Sequence, residues 1–405
     1  MKGRDAPIDF GWRLKGQQVQ VLPDRSWKLP GRRDATAALL APYCGDAQTL
    51  QSCLQCGVCT ASCNLAGEDG GFPRKQMALI QLGQTEALLS DPDLWRCYNC
   101  SDCSTQCSSK ARPGQIMAGL RWLAVERYAL LPFLARAMSS ARGLALVGLA
   151  AAVLLLLTLA AGGSFHPQTT PVLYASMLPH RTLNFFFTFF AGASGLCAVI
   201  SVHRLWRAFS GRALGQVHLR TLLPAGWEAL QEAVSHRDFR KCEQFPLAGL
   251  AHAAVMAGFF SLLIVALAVA VGVLLGKPYP LSLGHPLKIA GNAAGLALLL
   301  GAGYFAIQRW LKRKTESSTA FDWLLLANVL AVVVTGMMLE TFRLANLAVL
   351  AYPAYFLHLV LALMLIAGLP FTKFAHTVYR VVALTSHRYD ARIEEVFHEA
   401  QSKAA

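Results

Sequence analysis

Eight of the eleven cysteines in this sequence form two runs with the same internal spacing. In each run two residues separate the first three cysteines, and the fourth follows after three more. The first run, CLQCGVCTASC, consists of Cys53, Cys56, Cys59 and Cys63, and the second, CYNCSDCSTQC, of Cys97, Cys100, Cys103 and Cys107. Thiolates at this spacing bind [4Fe–4S] clusters, and in proteins with two clusters the fourth cysteine of a run binds the cluster of the other run.

The spacing therefore predicts two clusters with crossed ligands. We expect one [4Fe–4S] cluster on Cys53, Cys56, Cys59 and Cys107, and the other on Cys97, Cys100, Cys103 and Cys63. Zinc and disulfides are the alternatives, but zinc sites commonly use two pairs of ligands, which a duplicated run of four at unequal spacing does not provide. Asn64 and Ser108 stand where bacterial ferredoxins have proline, which is not a ligand.

The composition requires a membrane domain beside the cysteine runs. Of the 405 residues, 55% are hydrophobic and 15% are charged, and the mean hydropathy is +0.41. Ordinary soluble proteins are less apolar. The formal net charge of +14 could suit nucleic acid, but the basic residues lie beside apolar segments, as in cytoplasmic loops of membrane proteins. We expect a lipid bilayer, and no nucleic acid, as a partner.

Six segments reach the length needed to cross a bilayer, about 20 residues each. They are 143–162, 182–203, 247–275, 287–308, 323–342 and 352–372. The links after the second and fourth segments are rich in arginine and lysine, whereas the opposite loops are nearly uncharged. The positive-inside rule then puts both termini and the cysteine runs on the cytoplasmic side of the membrane. We expect that membrane to be a bacterial inner membrane. The polar N-terminus, which lacks the apolar core of a signal peptide, agrees with this orientation.

The predicted fold is mainly α-helical: an α-helical ferredoxin-type domain followed by a six-helix transmembrane bundle. Its parts are an extended N-terminal arm over 1–43, a dicluster iron–sulfur domain over 44–137, a membrane domain over 138–376 and a cytoplasmic tail over 377–405. Helical periodicity between the cysteine runs, over 72–89, predicts a spacer helix. The segment 113–138 is predicted to be a helix that runs along the membrane surface into the first span.

Three histidines lie in or beside the apolar segments, where an ionisable side chain is costly and hence a functional candidate. His252 lies about one turn into the third segment from the cytoplasmic side. His358 and His376 lie near the outer and inner ends of the sixth, about 27 Å apart along a helix, so they cannot bind the same iron. We predict an inner haem b bound by His252 and His376, and an outer haem b at His358.

The second ligand at His358 is open. His285 and His180 lie on its side of the membrane, whereas His203 lies at the cytoplasmic side and would compete for the inner site. Each of these three stands at a span end, where water can solvate it, and that simpler interpretation is favoured. For the inner pair, hydrogen bonding between helices is the alternative to haem.

The fifth segment ends in VVVTGMMLETFR, which puts Glu340 and Arg343 on neighbouring positions of a helix near the outer surface. They could form a simple interfacial ion pair. The sharper hypothesis is a quinone site, in which Glu340 handles protons and Arg343 contacts the quinone head or haem propionates. Menaquinone and ubiquinone are both open as the substrate.

The sequence resembles known families in both halves. Its first 135 residues resemble the C subunit of heterodisulfide reductase, with two [4Fe–4S] clusters, in the cysteine runs and in PRKQMALIQLG and RPGQIMAGLRWLAVE. The membrane half resembles the gamma subunit of respiratory nitrate reductase, a cytochrome b, and the E subunit of heterodisulfide reductase, in DWLLL, TGMMLE and HLVLALMLIAGLPFTKFAH. His358 and His376 match haem-ligating histidines there, whereas Leu262 stands where the gamma subunit has a second histidine.

The fusion of both halves is similar to the C subunit of quinone-interacting membrane-bound oxidoreductase complexes, which link quinone to adenylylsulfate reductase in sulfur-metabolising bacteria. The resemblance implies electron exchange between quinone and cytoplasmic flavoproteins of the heterodisulfide reductase A type, through haem b and the clusters. No dinucleotide or phosphate-binding motif occurs, so no flavin or NAD site is expected. The alternatives are a membrane subunit of a quinol-dependent thiol–disulfide reductase and a haem-free anchor for an iron–sulfur domain.

Overall fold

The computed structural model describes residues 39–44, 52–66, 71–211, 217–235, 247–311 and 320–404. Every regular element within these segments is a helix, which confirms the mainly α-helical class. The predicted N-terminal arm, 1–43, lies outside the described residues except for 39–43, which with Cys44 form the short helix α1. Outside them also lie parts of the basic links, at 212–216, 236–246 and 312–319.

The cysteine-bearing half consists of short helices around one longer helix. After α1 come α2 Val58–Ala61, α3 Arg74–Gln81, α4 Thr85–Leu89, α5 Asp102–Thr105, α6 Pro113–Tyr128 and α7 Pro132–Ala137. The predicted spacer is helical but broken. Gly83 has a left-handed backbone with φ 68°, a conformation that glycine adopts without strain and that ends α3 before α4 begins.

Helix α6 forms the centre of this half. Twelve of its 16 residues are buried, and α1 crosses it at Gly119, where a Cβ would lie 2.5 Å from the Cys44 Sγ. A helix on a membrane surface has one apolar and one polar face, whereas α6 packs on nearly all sides. The prediction of a membrane-surface helix is therefore wrong over Pro113–Tyr128, which is enclosed by protein, and Cys44 is a packing residue.

Among its described residues, the second half has six helices long and apolar enough to cross a membrane, as predicted. They are α8 Ala141–Gly162, α10 His180–Ser210, α12 Ala248–Leu274, α13 Pro286–Leu311, α14 Ala320–Leu344 and α15 Ala348–Gly368. The short α9 Tyr174–Met177 and the longer α11 Leu219–Ser235 lie in the links, and α16 Ala375–Ala404 follows the last span. Many outward residues of the six helices are exposed apolar side chains, which a bilayer accommodates and water does not.

Two helices extend beyond the predicted span ends and reach the cysteine-bearing half. Helix α10 has 31 residues, which makes it about 46 Å long, against a hydrocarbon core of about 30 Å. The predicted C-terminal tail is a helix of 30 residues, α16, separated from α15 by a 3-10 turn over Leu369–Phe371. Leu205 and Phe209 of α10 and Tyr379 of α16 belong to the same buried core as α6.

The shared core joins the two halves at a 3-10 turn between the cysteine runs, Pro92–Trp95. The buried Trp95 ring packs edge-on against Tyr379, with centroids 5.1 Å apart. Asp91 caps this turn by accepting the Asp93 amide at 3.1 Å. Lys75 of α3 forms an ion pair of 2.8 Å with Asp91. The turn that precedes Cys97 is thus fixed from both halves.

Helices α12 and α13 approach each other closely at two glycines. A Cβ on Gly301 would lie 2.6 Å from the Ala251 carbonyl oxygen, and one on Gly258 would lie 2.7 Å from the Ala294 carbonyl oxygen. Small residues allow the backbones of membrane helices to come this close. Since His252 follows Ala251, the contact at Gly301 helps to set the position of that histidine.

We expect Gly301→Ala to destabilise the protein by about 1–3 kcal/mol, because the added methyl group forces α12 and α13 apart. Gly303→Ala on the same helix is the matched control, since a Cβ there meets nothing within 4 Å. Thermal unfolding of both variants in detergent measures the difference. Equal melting temperatures for the two variants would contradict the close approach.

Candidate functional site

The first cysteine group lines one cavity. Cys53, Cys56, Cys59 and Cys107 all contribute to its wall, together with Met77 and Pro113. Two left-handed backbone conformations, at Gln55 with φ 55° and Gly57 with φ 85°, turn the loop that carries the first three thiols. The fold thus brings the last cysteine of the second run to the first three of the first run.

The second group is arranged in the same way. The Cys63 thiol lies close enough to Cys97 and Cys100 for their charges to interact, and Cys103 interacts with all three. Asn99 with φ 59° and Ser101 with φ 69° repeat the left-handed turns at the equivalent positions. Within the described part of the chain, no three His, Cys, Asp or Glu side chains are close enough to bind a single metal ion.

Hydrogen bonds to sulfur distinguish the fourth cysteines of the two runs. Burial raises the pKa of Cys107, but hydrogen bonds from Ser109, Ala111 and Arg112 outweigh it, so the pKa lies below its usual value. The Ala111 amide donates to the Cys107 Sγ at 3.3 Å. At Cys63 burial outweighs the backbone hydrogen bonds from Leu65 and Ala66 and raises the pKa. Donors to a ligand sulfur stabilise its thiolate form and tune the potential of an iron–sulfur cluster.

The structure places His252 and His376, the two histidines proposed for the inner site, next to each other. The rings of His252 on α12 and His376 on α16 lie with centroids 6.3 Å apart and planes at 71°. His376 Nδ1 donates to the Lys373 carbonyl, which fixes the proton on Nδ1 and leaves Nε2 with a free lone pair. A second-sphere hydrogen bond of this type orients metal-binding histidines.

A network that the sequence did not reveal holds the turn before His376. Lys373 donates to the buried carboxylate of Asp322 at the start of α14, and Arg309 of α13 lies 3.9 Å from the same carboxylate. Asp322 begins the DWLLL motif, but the motif alone gives it no partner. The network ties α13, α14 and the His376 turn together.

His358 also has a fixed tautomer. Thr335 Oγ1 on α14 donates to the Ala331 carbonyl at 2.6 Å, so its lone pair must accept the Nδ1 proton of His358 at 2.9 Å. The ring packs over Gly336, where a Cβ would lie 3.2 Å from its Cε1 atom. Thr335 and Gly336, the first residues of TGMMLE, therefore orient His358 with its Nε2 unprotonated.

The structure does not bring a second histidine ring against His358 among the described residues. His285 Nδ1 accepts the Leu287 amide at 3.2 Å and caps α13, and His180 packs edge-on against Tyr279 with ring centroids 5.0 Å apart. His203 is half-buried on α10. Leu262 packs in an apolar cluster between α12, α13 and α14.

Glu340 has a partner that the sequence analysis missed. Its carboxylate lies 2.9 Å from the Lys288 Nζ on α13, and its Oε1 is buried without a hydrogen bond. Tyr279, in the loop before α13, lies near both Glu340 and Arg343; burial raises its pKa, Arg343 lowers it and Glu340 raises it. Lys288 comes early in the fourth span. Because a lysine inside a membrane segment is costly, its position there could have marked it as a functional candidate.

The comparisons with known proteins identify the class of the cysteine-bearing half. Residues 49–111 match the 4Fe-4S dicluster domain family, so the chain joins a dicluster iron–sulfur domain to six helices that can cross a membrane. No solved structure matches the chain.

The particular relatives are C subunits of heterodisulfide reductases. A protein of Archaeoglobus profundus that is itself described as like the heterodisulfide reductase C subunit is 37% identical over 21% of this chain and 45% of its own length. The C subunit of the ferredoxin/F(420)H(2)-dependent CoB-CoM heterodisulfide reductase of Methanosarcina acetivorans is 35% identical over 20% of this chain and 51% of its own. The chain thus spans about half the length of these relatives. Their similarity supports an iron–sulfur electron-transfer role.

The crossed arrangement predicts that cysteine variants from different runs alter the same cluster. Because Cys63 lies with the second group, Cys63→Ser and Cys100→Ser should alter the same cluster, although they fall in different runs. Cys107→Ser and Cys56→Ser should alter the other. Iron analysis and electron paramagnetic resonance (EPR) spectra of the reduced full chain test this. If Cys63→Ser instead altered the signal that Cys56→Ser alters, the crossing would be wrong.

Proposed function

We propose that the chain is a membrane electron-transfer subunit that exchanges electrons between the quinone pool and cytoplasmic flavin and iron–sulfur proteins. Its carriers are two [4Fe–4S] clusters, on the crossed cysteine groups, and haem b. The observation that carries the proposal is the paired imidazoles of His252 and His376, since without them the helices would only anchor the iron–sulfur domain. In this proposal the chain spans a bacterial inner membrane, and both termini face the cytoplasm.

The donors at the inner pair fit haem b. Two metal–nitrogen bonds of about 2 Å each, plus the half-width of each ring, add up to roughly the observed centroid separation of 6.3 Å. His376 offers Nε2 because its Nδ1 proton is donated to Lys373. Haem b, when bound, supplies one-electron exchange, while the chain sets its orientation and surrounding charge.

An outer haem b at His358 is the second part of the proposal. The hydrogen bond to Thr335 leaves His358 Nε2 as a free donor, which supports a ligand role. His285 remains the sequence candidate for the second ligand, but in this structure its Nδ1 accepts the Leu287 amide. The neutral ring then carries its proton on Nε2, so His285 would have to break that hydrogen bond and change tautomer to bind iron. One or two haems per chain are compatible with these donors.

The quinone site is proposed at Glu340, with Lys288 replacing Arg343 as its ion-pair partner. Oxidation of a quinol releases two electrons and two protons. A buried carboxylate with one unsatisfied oxygen can accept such a proton, and the Lys288 ammonium can hold the carboxylate in place. Tyr279 lies near both Glu340 and Arg343, and Arg343 and Tyr279 are the proposed contacts of the quinone head.

The partners are proposed from resemblance. Heterodisulfide reductase A-type flavoproteins would exchange electrons with the clusters, and adenylylsulfate reductase would be the terminal enzyme in sulfur metabolism. The names of the relatives favour a second candidate, in which quinol feeds a heterodisulfide-type thiol reductase through the same carriers. Both candidates use the same residues of this chain.

Haem content tests the proposal. We expect His252→Ala and His376→Ala each to lose the same haem b, because each removes one of the two imidazoles that would hold it. His358→Ala should lose a second haem and leave the first. Reduced-minus-oxidised visible spectra of the purified full chain, with haem quantified per polypeptide, measure this. His387→Ala, on the same helix as His376, should keep all the haem.

The outcome decides between functions. Haem that survives both inner variants would contradict the proposed inner site, and a wild-type chain without haem would leave only the anchor function.

Glu340→Gln should slow quinol-dependent cluster reduction on the order of 100-fold, as expected for loss of a general acid–base group. The haem spectra should stay unchanged, because Glu340 is not a ligand. Lys288→Arg, which keeps the ion pair, is the control and should retain most of the activity. Stopped-flow reduction by a short-chain quinol gives the rates, and wild-type turnover in Glu340→Gln would remove the proton role.

A further inference from the structure

The helix that carries His376 is fastened directly to the second cysteine run. Arg380 lies one helical turn after His376 and therefore on the same face of α16. Its Nη1 donates to the carbonyls of Trp95 at 3.1 Å and Arg96 at 3.2 Å. The guanidinium also lies over the Tyr98 ring, 3.8 Å from the centroid. Arg380 thus contacts the residues on both sides of Cys97.

A second arginine makes the same connection from α6. Arg121 Nη1 donates to the Cys97 carbonyl, and its charge also acts on His376. Arg121 is therefore bonded to the second cysteine run and lies near enough to His376 for its charge to act there. Two cationic side chains from different helices converge on one short loop.

One N–H group of Arg380 lacks a hydrogen-bond acceptor. Its Nε is buried and has no acceptor, whereas its Nη1 donates to two carbonyls. Buried N–H groups in native proteins are almost always hydrogen-bonded. An anionic acceptor between α16 and the Cys97 loop, such as a cluster sulfur or a haem carboxylate, would satisfy it.

The first cysteine run has the opposite surroundings. Cys56 is exposed, and its neighbours Leu54 and Val58 expose 75% and 40% of their surface. The Arg74 side chain packs on Gly57 of this loop and is itself exposed. This loop faces solvent, while the Cys97 loop faces the membrane half.

We propose that the Cys97 loop holds the membrane-side cluster, next to the imidazole pair, and that the Cys53 loop holds the outer cluster, which exchanges electrons with the soluble partner. Arg121 and Arg380 are positioning residues that fix the Cys97 loop against the His376 helix. The proposal rests on the proposed function. Each step moves one electron, oxidising one centre and reducing the next, with no bond formed and no proton moved.

The two arginines should also set potentials. Reduction adds negative charge to a cluster, and a nearby cation stabilises the reduced state. Removing the charge of Arg380 or Arg121 should therefore lower the midpoint potential of the membrane-side cluster and of the inner haem. Removing the charge of Arg74 should lower only that of the outer cluster.

Two measurements on the full chain test the order. First, the EPR signals of the two clusters are assigned with the variants Cys56→Ser and Cys100→Ser. The wild-type protein is then reduced in the presence of a water-soluble dysprosium chelate. The chelate should enhance the electron-spin relaxation of the Cys56-dependent signal more strongly. Stronger relaxation of the Cys100-dependent signal would overturn the proposal, and this measurement needs no arginine variant.

Second, EPR-monitored and visible redox titrations compare Arg380→Gln and Arg121→Gln with Arg74→Gln. The first two should shift the Cys100-dependent cluster and the haem, and the third only the Cys56-dependent cluster. Arg380→Lys, which keeps the charge, should restore the potential and controls for misfolding. A shift of the Cys56-dependent cluster alone in Arg380→Gln would contradict the order. A chain without haem would contradict the proposed function, while the dysprosium measurement would still report which cluster is outer.

Discussion

Helix α16 packs against both the membrane half and the cysteine-bearing half, and that packing constrains the rest of the structure. Its first turn carries His376 beside α12, while Tyr379 one turn later is buried in the core that surrounds α6. Full burial of an aromatic side chain is worth about 1.5–3 kcal/mol, and Trp95, Leu205 and other large side chains pack in the same core. The cysteine-bearing half therefore cannot move relative to the inner histidine pair without opening this core.

Histidine orientation is achieved in two different ways. His376 uses a backbone carbonyl of the turn that precedes its own helix. His358 uses the hydroxyl of Thr335 on a neighbouring span, whose proton is already donated to the Ala331 carbonyl. Both arrangements place the proton on Nδ1 and expose Nε2. The two rings are thus oriented for the same kind of ligand.

The sequence predicts what depends on spacing along the chain. Cysteine intervals, span lengths and the shared depth of His252 and His376 follow from local periodicity, and the structure has the helices and the histidine contact. Sequence reasoning could not predict the roles of Lys288, Arg121 and Arg380, because their partners are backbone or side-chain atoms distant in the chain. The membrane-surface placement of α6 was wrong for a related reason: apolar periodicity does not distinguish a helix enclosed by protein from one lying on lipid.

The shared core has a consequence for how the protein is made. The cysteine-bearing half is synthesised first, yet its core includes Leu205, Phe209, Ala375, Tyr379 and Ala383. Those residues emerge from the ribosome only after one or more of the membrane spans, and the last three only after all six. Domains usually fold as units in order of synthesis, but here the domain made first is completed last. Completion of the cysteine-bearing core is thereby coupled to synthesis of the six membrane-length helices that follow it.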